Sequence, residues 1–193
     1  SLTDSFYWVS NIPIVKGTIT FSAYVKMFEE TSAFFRVNNY LDKMGVDIGI
    51  NDYTYSSNVS AKDGDDFYSC AEITLDTWFN LQVLIHLNHN NYRSNNFSVL
   101  IDGIPGQFCT SIRISGPTWE YSPIKDLTKF EFFGGRVNYD NISITCDNCA
   151  YGYPEYDDDD SWWPFDDDDD DDDDNNDDYD DDTSSNFNVD GGS

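Results

Sequence analysis

The chain has 193 residues and sets 37 acidic side chains against 10 basic ones, for a formal net charge of −27. A chain this negative lacks the clustered Lys and Arg that phosphate binding needs, which excludes nucleic acid as a partner. Anionic membrane surfaces should repel it, and no apolar run reaches the ~18 residues of a membrane-spanning helix.

The charge is unevenly placed. Residues 151–193 hold 19 Asp and one Glu with no Lys or Arg, whereas residues 1–150 carry only −7. About 150 residues suffice for one domain with a sizeable core. The 13 Tyr, 14 Phe and 5 Trp favour pleated sheet over helix. The expected division is a β-sandwich domain over 1–149 and an aromatic, Asp-rich low-complexity tail over 150–193.

Along the chain, period-two alternation recurs. Gly17–Lys26 puts Ile19, Phe21, Ala23 and Val25 on one face and Thr18, Thr20, Ser22 and Tyr24 on the other. Residues 51–66 read as a polar loop holding Asn58, in which Asp63, Asp65 and Asp66 are weak candidates for a calcium loop. Trp78–Leu87 aligns Phe79, Leu81, Val83, Ile85 and Leu87 on one face, and residues 88–96 read as a second polar loop. Phe97, Val99 and Ile101 repeat the pattern. Asp102-Gly103 followed by Pro105-Gly106 predicts a hairpin from Phe97–Ile101 to Phe108–Ile114. Phe130 and Phe132, then Ile142 and Ile144, continue it beyond a break at Gly134-Gly135. The runs are short and no stretch has a helical period, so the fold class is all-β: an antiparallel two-sheet sandwich with very little helix.

After Cys149 the composition changes. Tyr151, Tyr153, Tyr156, Trp162, Trp163 and Phe165 flank a short Asp run, and Asp166–Asp174 is nine consecutive aspartates. The Asp runs cannot build a core. The aromatic residues are of the kind that anchors interfaces.

Cys70, Cys109, Cys146 and Cys149 form an even set, and they accompany three N-x-S/T sequons at Asn58, Asn96 and Asn141. Together they point to an oxidising, extracellular compartment and to N-glycosylation. Four cysteines allow three connectivities; the pairing 70–109 with 146–149 is favoured. Asn141 should share its strand face with Tyr139 and Ser143, opposite Ile142 and Ile144.

Catalytic constellations are missing. The glutamates Glu29, Glu30, Glu72, Glu120 and Glu131 show no spacing for a glycosidase pair. His86 lies on a polar strand face and His89 in a loop, with no nucleophile elbow. No enzyme is expected and no cofactor is required; weak, nonspecific calcium binding by the carboxylates is the one metal interaction the composition allows for.

Several segments together resemble the concanavalin A-like lectin/glucanase superfamily, especially its laminin G-like jelly-roll members. Asp76-Thr77-Trp78-Phe79-Asn80-Leu81-Gln82-Val83 is similar to a "tW..l.v" strand, and Phe97-Ser98-Val99-Leu100-Ile101-Asp102-Gly103 to the following "f.vyvDG" hairpin. Phe132-Phe133-Gly134-Gly135 with Asp140-Asn141-Ile142-Ser143-Ile144 is similar to the closing "fGg...DNi.i" strand. The resemblance covers residues ~1–146 and not the tail. It implies a jelly roll whose first and last strands are adjacent, with Ser5–Val9 beside Asn138–Thr145. The Glu-x-Asp-x-Glu strand of the glucanases is absent.

The main functional expectation is a non-enzymatic extracellular glycoprotein that assembles with copies of itself into a filament or surface layer through its tail or a sheet edge. The alternative is a carbohydrate-binding, lectin-like adhesion module, for which the resemblance implies loop aromatics and polar side chains; Tyr53, Tyr55, Tyr92, Arg93, Trp119 and Tyr121 are the candidates. A calcium- or mineral-binding acidic protein is a third reading.

Overall fold

The computed structural model describes residues 5–28, 31–52, 57–63, 66–114 and 124–154. These residues form eleven strands and a single 3-10 turn at Tyr92–Ser94. The strands are β1 (Phe6–Met27), β2 (Ala33–Asn38), β3 (Met44–Ile50), β4 (Asn58–Asp63), β5 (Asp66–Glu72), β6 (Trp78–Leu87), β7 (Asn96–Ile101), β8 (Ile104–Pro105), β9 (Ile112–Arg113), β10 (Leu127–Gly134) and β11 (Val137–Tyr151). All pairings are antiparallel.

β1 is the hinge of the architecture. Its first residues, Phe6–Val9, pair with Phe132–Lys129 of β10. Its remainder pairs with β11 on one side and β6 on the other. The switch falls between Val9 and Ile14, where the register shifts around Pro13, a residue with no N–H to give to a ladder. One sheet therefore runs β5-β4-β3-β2-β10-β1, and the other runs β11-β1-β6-β7 with β8 and β9 both on β7.

The core lies between these sheets. Ile19, Phe21, Ala23 and Val25 of β1, with Phe79, Leu81, Val83, Ile85 and Leu87 of β6, are buried, as the alternation predicts. They meet Phe35, Val37, Val46, Ile48, Ile50, Phe130 and Phe132 of the six-stranded sheet. Phe21 bridges the layers, with ring centroids 4.1 Å from Phe35 and 6.4 Å from Phe132. Burying each such side chain contributes roughly 1.5–3 kcal/mol.

Four expectations are corrected. Residues 58–63 and Asp66 are not loop; 58–63 and 66–72 form the β4–β5 hairpin at the end of the six-stranded sheet. Polar composition hides β4 because Val59 and Ala61 are its inward apolar residues. Ser5–Val9 is not beside Asn138–Thr145. The first and last strands do adjoin, but through Ile14–Met27 and Tyr151–Val137. The hairpin after Ile101 turns at Asp102-Gly103 and pairs only Ile104 and Pro105 with β7. The chain then leaves the ladder, buries Cys109 and returns at Ile112–Arg113. Finally, Tyr139 faces inward, edge-on to Phe132 at 5.6 Å. A bulge between the pairs Ser22–Ser143 and Tyr24–Asp140 adds one residue to β11 and inverts the alternation before it.

Two disulfides close the described domain: Cys70–Cys109 and Cys146–Cys149. The first ties β5 of one sheet to the β8–β9 connection of the other. The second lies within β11, where it crowds Gly17. That residue has φ +124°, and a Cβ there would meet Cys149 Sγ at 2.6 Å and Asp147 O at 2.9 Å. Among the described residues no helix is long and apolar enough to cross a membrane.

Candidate functional site

The outer face of the six-stranded sheet carries the domain's main concentration of charged and aromatic side chains. Strand register places them in rows. Tyr7 pairs with Glu131, Glu131 with Arg36, and Arg36 with Asp47, one residue from each of β1, β10, β2 and β3. Four strands at the usual sheet spacing span about 14 Å. The next row is Phe133, Phe34, Gly49, Ser60 and Ser69.

Arg36 is the centre. Its Nε donates to Asp47 Oδ1 at 3.0 Å. The guanidinium lies over the rings of Phe34 (5.3 Å) and Phe133 (5.0 Å), which stack on each other at 5.7 Å. This fixes the plane of the fork. Its two Nη groups and the Oδ2 of Asp47 have no partner among the described residues. The Arg36 side chain is 36% exposed and that of Asp47 12%. A fixed donor pair and a fixed acceptor thus stand side by side at the surface.

Around this pair, Lys129 Nζ contacts Glu131 Oε1 at 3.1 Å and Asp42 Oδ1 at 3.6 Å, and lies 5.3 Å from the Tyr7 ring. The hydrogen bond to Glu131 is the largest cause raising the Lys129 pKa above the ordinary lysine value. Partial burial opposes it, and the charges of Glu131 and Asp42, with Tyr7, add to it. Tyr7, 58% exposed, ends the row on one side. Near the other edge Lys62 lies over exposed Phe67 at 5.3 Å. Asn38, also on β2, is buried with its Oδ1 unpartnered.

The second row is covered on its outer side by a buried contact. Ser60 Oγ donates to Asp52 Oδ2 at 2.6 Å, and Asp52 is buried. Gly49 makes room for this contact, because a Cβ there would collide with the Asp52 carboxylate and meet Ser60 Oγ at 2.9 Å.

The residues singled out from sequence lie elsewhere. Tyr92 and Arg93 form the 3-10 turn, where Lys125 lies over the Tyr92 ring at 5.1 Å. Tyr53, Tyr55, Trp119 and Tyr121 fall outside the described residues, as do Tyr156, Trp162, Trp163, Phe165 and Asp65. Tyr151 and Tyr153 are exposed, and Tyr153 sits edge-on to Tyr40 at 5.9 Å. Asp63 and Asp66 pair across the β4–β5 tip, and among the described residues no group of three or more His, Cys, Asp or Glu could hold a metal.

The sequons differ in setting. Asn58 is half-buried and accepts from Ser69 Oγ at 2.9 Å. Asn96 is half-buried and donates to Ser94 O at 2.9 Å. Asn141 is exposed, in a left-handed conformation with φ 52°.

Sequence reasoning passed over Arg36, Asp47, Lys129 and Tyr7. The legible signal was Ala33-Phe34-Phe35-Arg36-Val37-Asn38, a lone cation at an alternate position of an apolar run.

No family model and no curated protein matches the sequence. Among solved structures the chain resembles a sialidase, with TM-score 0.51 and 9% identity over 75% of this chain; it spans 14% of that enzyme's length. It also resembles sheep galectin-11, solved in complex with glycerol, with TM-score 0.51 and 11% identity over 75% of this chain and 100% of that one. At such identities the likeness is one of fold. The architecture is a concanavalin A-like jelly-roll β-sandwich, as the resemblance of the short segments implies.

Proposed function

We propose that this domain is a lectin-like carbohydrate-binding module, acting without catalysis in an extracellular setting. The observation that carries the reading is the Arg36–Asp47 pair, whose open Nη donors and Oδ2 acceptor are locked in one plane on a sheet face. A sugar hydroxyl both donates and accepts, and such a pair meets one hydroxyl's oxygen and its neighbour's O–H with charge-assisted hydrogen bonds. Tyr7 and Phe67 add exposed aromatic surface for the apolar side of a sugar ring. Arg36, Lys129 and Lys62 nearly balance Asp47 and Glu131, which suits a neutral saccharide better than a sulfated one. Two disulfides support an oxidising compartment.

The fold likeness to a galectin supports this reading ahead of the self-assembling structural subunit expected from the tail. The test is a glycan array followed by titration of the best ligand. Wild-type protein should bind neutral glycans, and Arg36→Met and Asp47→Asn should each weaken binding at least about tenfold, the scale of a lost hydrogen bond to a charged group. Absence of any glycan bound by the wild type, or full binding by Arg36→Met, would overturn it.

A further inference from the structure

The sheet opposite the candidate site ends in a long strand that is paired on one side among the described residues. β11 runs 15 residues and pairs only with β1, so among the described residues nothing pairs with its other side. A free edge of that length is a template for another strand. Native edges are ordinarily short, or carry Lys or Pro, or are bulged; β11 is bulged at Asn141 and again between Asp147 and Ala150, but its register is regular from Ser143 to Asp147. β11 has no Lys, Arg or Pro, and its charged residues are Asp140 and Asp147. Between them lies Ile142-Ser143-Ile144-Thr145-Cys146, uncharged and rich in β-formers, the composition that favours edge-to-edge association.

The middle of this edge holds the third sequon. Asn141 occupies the bulge between the Ser22–Ser143 and Tyr24–Asp140 pairs. Its own N–H takes Asp140 Oδ1 at 2.7 Å, so the bulge is closed locally. Its side-chain amide makes no hydrogen bond among the described residues, whereas Asn58 accepts through Oδ1, Asn96 donates through Nδ2, and both are half-buried. Asn141 is therefore the exposed sequon, set beside an open strand edge.

We propose that Asn141 carries an N-linked glycan whose role is to cap the free edge of β11 and keep the sheet from continuing into a second copy of the chain. The bulge presents the acceptor, and the bulk of the glycan supplies the protection that Lys or Pro gives other edges. The inference is independent of the sugar-binding reading, since the two sit on different sheets. It turns the sheet edge from a means of self-assembly into a place where assembly is blocked.

The test uses the full chain secreted from a eukaryotic cell. Glycosidase treatment and mass spectrometry of chymotryptic peptides should show Asn141 occupied, and light scattering should show a monomer. Asn141→Gln, Ser143→Ala and enzymatic removal of glycans from the folded protein should each raise the apparent mass about twofold or more, as an edge-paired dimer requires. Adding Thr145→Lys to Asn141→Gln should return the monomer. An unmodified Asn141, or a glycan-free protein that stays monomeric at the same concentration, would overturn the proposal. Ser143→Ala and the enzymatic arm keep the test decisive even if Asn141→Gln fails to fold.

Discussion

The two outer faces of the sandwich are built by the same alternation and differ in what the alternation leaves outside. On the six-stranded sheet the outward positions of β1, β10, β2 and β3 are Tyr7, Glu131, Arg36 and Asp47; Arg36 pairs with Asp47, and Lys129 joins Glu131 to the Tyr7 ring. On the other sheet they are Thr18, Thr20, Ser22, Tyr24 and Lys26 of β1 with Trp78, Asn80, Gln82, Leu84 and His86 of β6. There the bonds are small and local: Thr18 Oγ1 with His86 Nδ1 at 3.1 Å, and Asn80 Nδ2 to Ser22 Oγ at 3.2 Å. Hydroxyls and amides of this kind are satisfied by water, and the exposed rings of Tyr24 and Trp78 stand among them. The six-stranded sheet adds a fixed cation beside a carboxylate with directed valences open, and that difference supports placing the proposed sugar site there.

The comparison can be broken or sharpened by mutation. The largest effect should come from cutting the tie between the sheets. Replacing Cys70 and Cys109 by Ser releases a bridge of sequence separation 39, worth about 4 kcal/mol on the chain-entropy model. The same change at Cys146 and Cys149, separation 3, should cost about half as much, and chemical denaturation will rank the two. Next comes Gly49→Ala, which drives a methyl into the buried Asp52–Ser60 contact. A loss of about 1–3 kcal/mol is expected, against within about 0.5 kcal/mol for Thr20→Ala on the opposite face. If the two variants melt alike, the claim that one face is braced and the other merely solvated fails.

Third, Arg36→Met should weaken glycan binding about tenfold while leaving the melting temperature close to wild type; Gln82→Met, on the other sheet, should leave binding unchanged. The smallest effect concerns Lys129. Its pKa is raised in the folded protein, so its contribution is complete from neutral pH up to the unfolded lysine value of 10.5 and is lost as pH rises through the raised value. The stability difference between wild type and Lys129→Met should thus be flat from neutral pH to about pH 10 and shrink above it. A half-exposed pair of this kind contributes no more than about 1 kcal/mol. A difference that instead varied near neutral pH would point to another group.

Much of the fold was legible because burial on one face imposes a period of two. The core positions of β1, β6, β7 and β10 follow from that rule alone. Where only part of a strand reaches the core the rule weakens, and β4, with Val59 and Ala61 as its inward residues, reads as loop. Where a bulge adds a residue the phase inverts, and Tyr139 was assigned to the wrong face. The site was less legible still. Arg36, Asp47, Glu131 and Tyr7 are far apart in sequence, and only pairing across four strands makes them neighbours.

The sequence by itself determined the all-β class, the inward-facing apolar set, the polyanionic tail composition and the positions of the sequons. These are local or compositional properties, set by side-chain chemistry and backbone pleat. Only the tertiary structure decided that β1 serves both sheets, that Arg36 meets Asp47, and that Asn141 borders a free edge. Each of these depends on register between distant segments, which is fixed by how the whole core packs and not by any one stretch of chain.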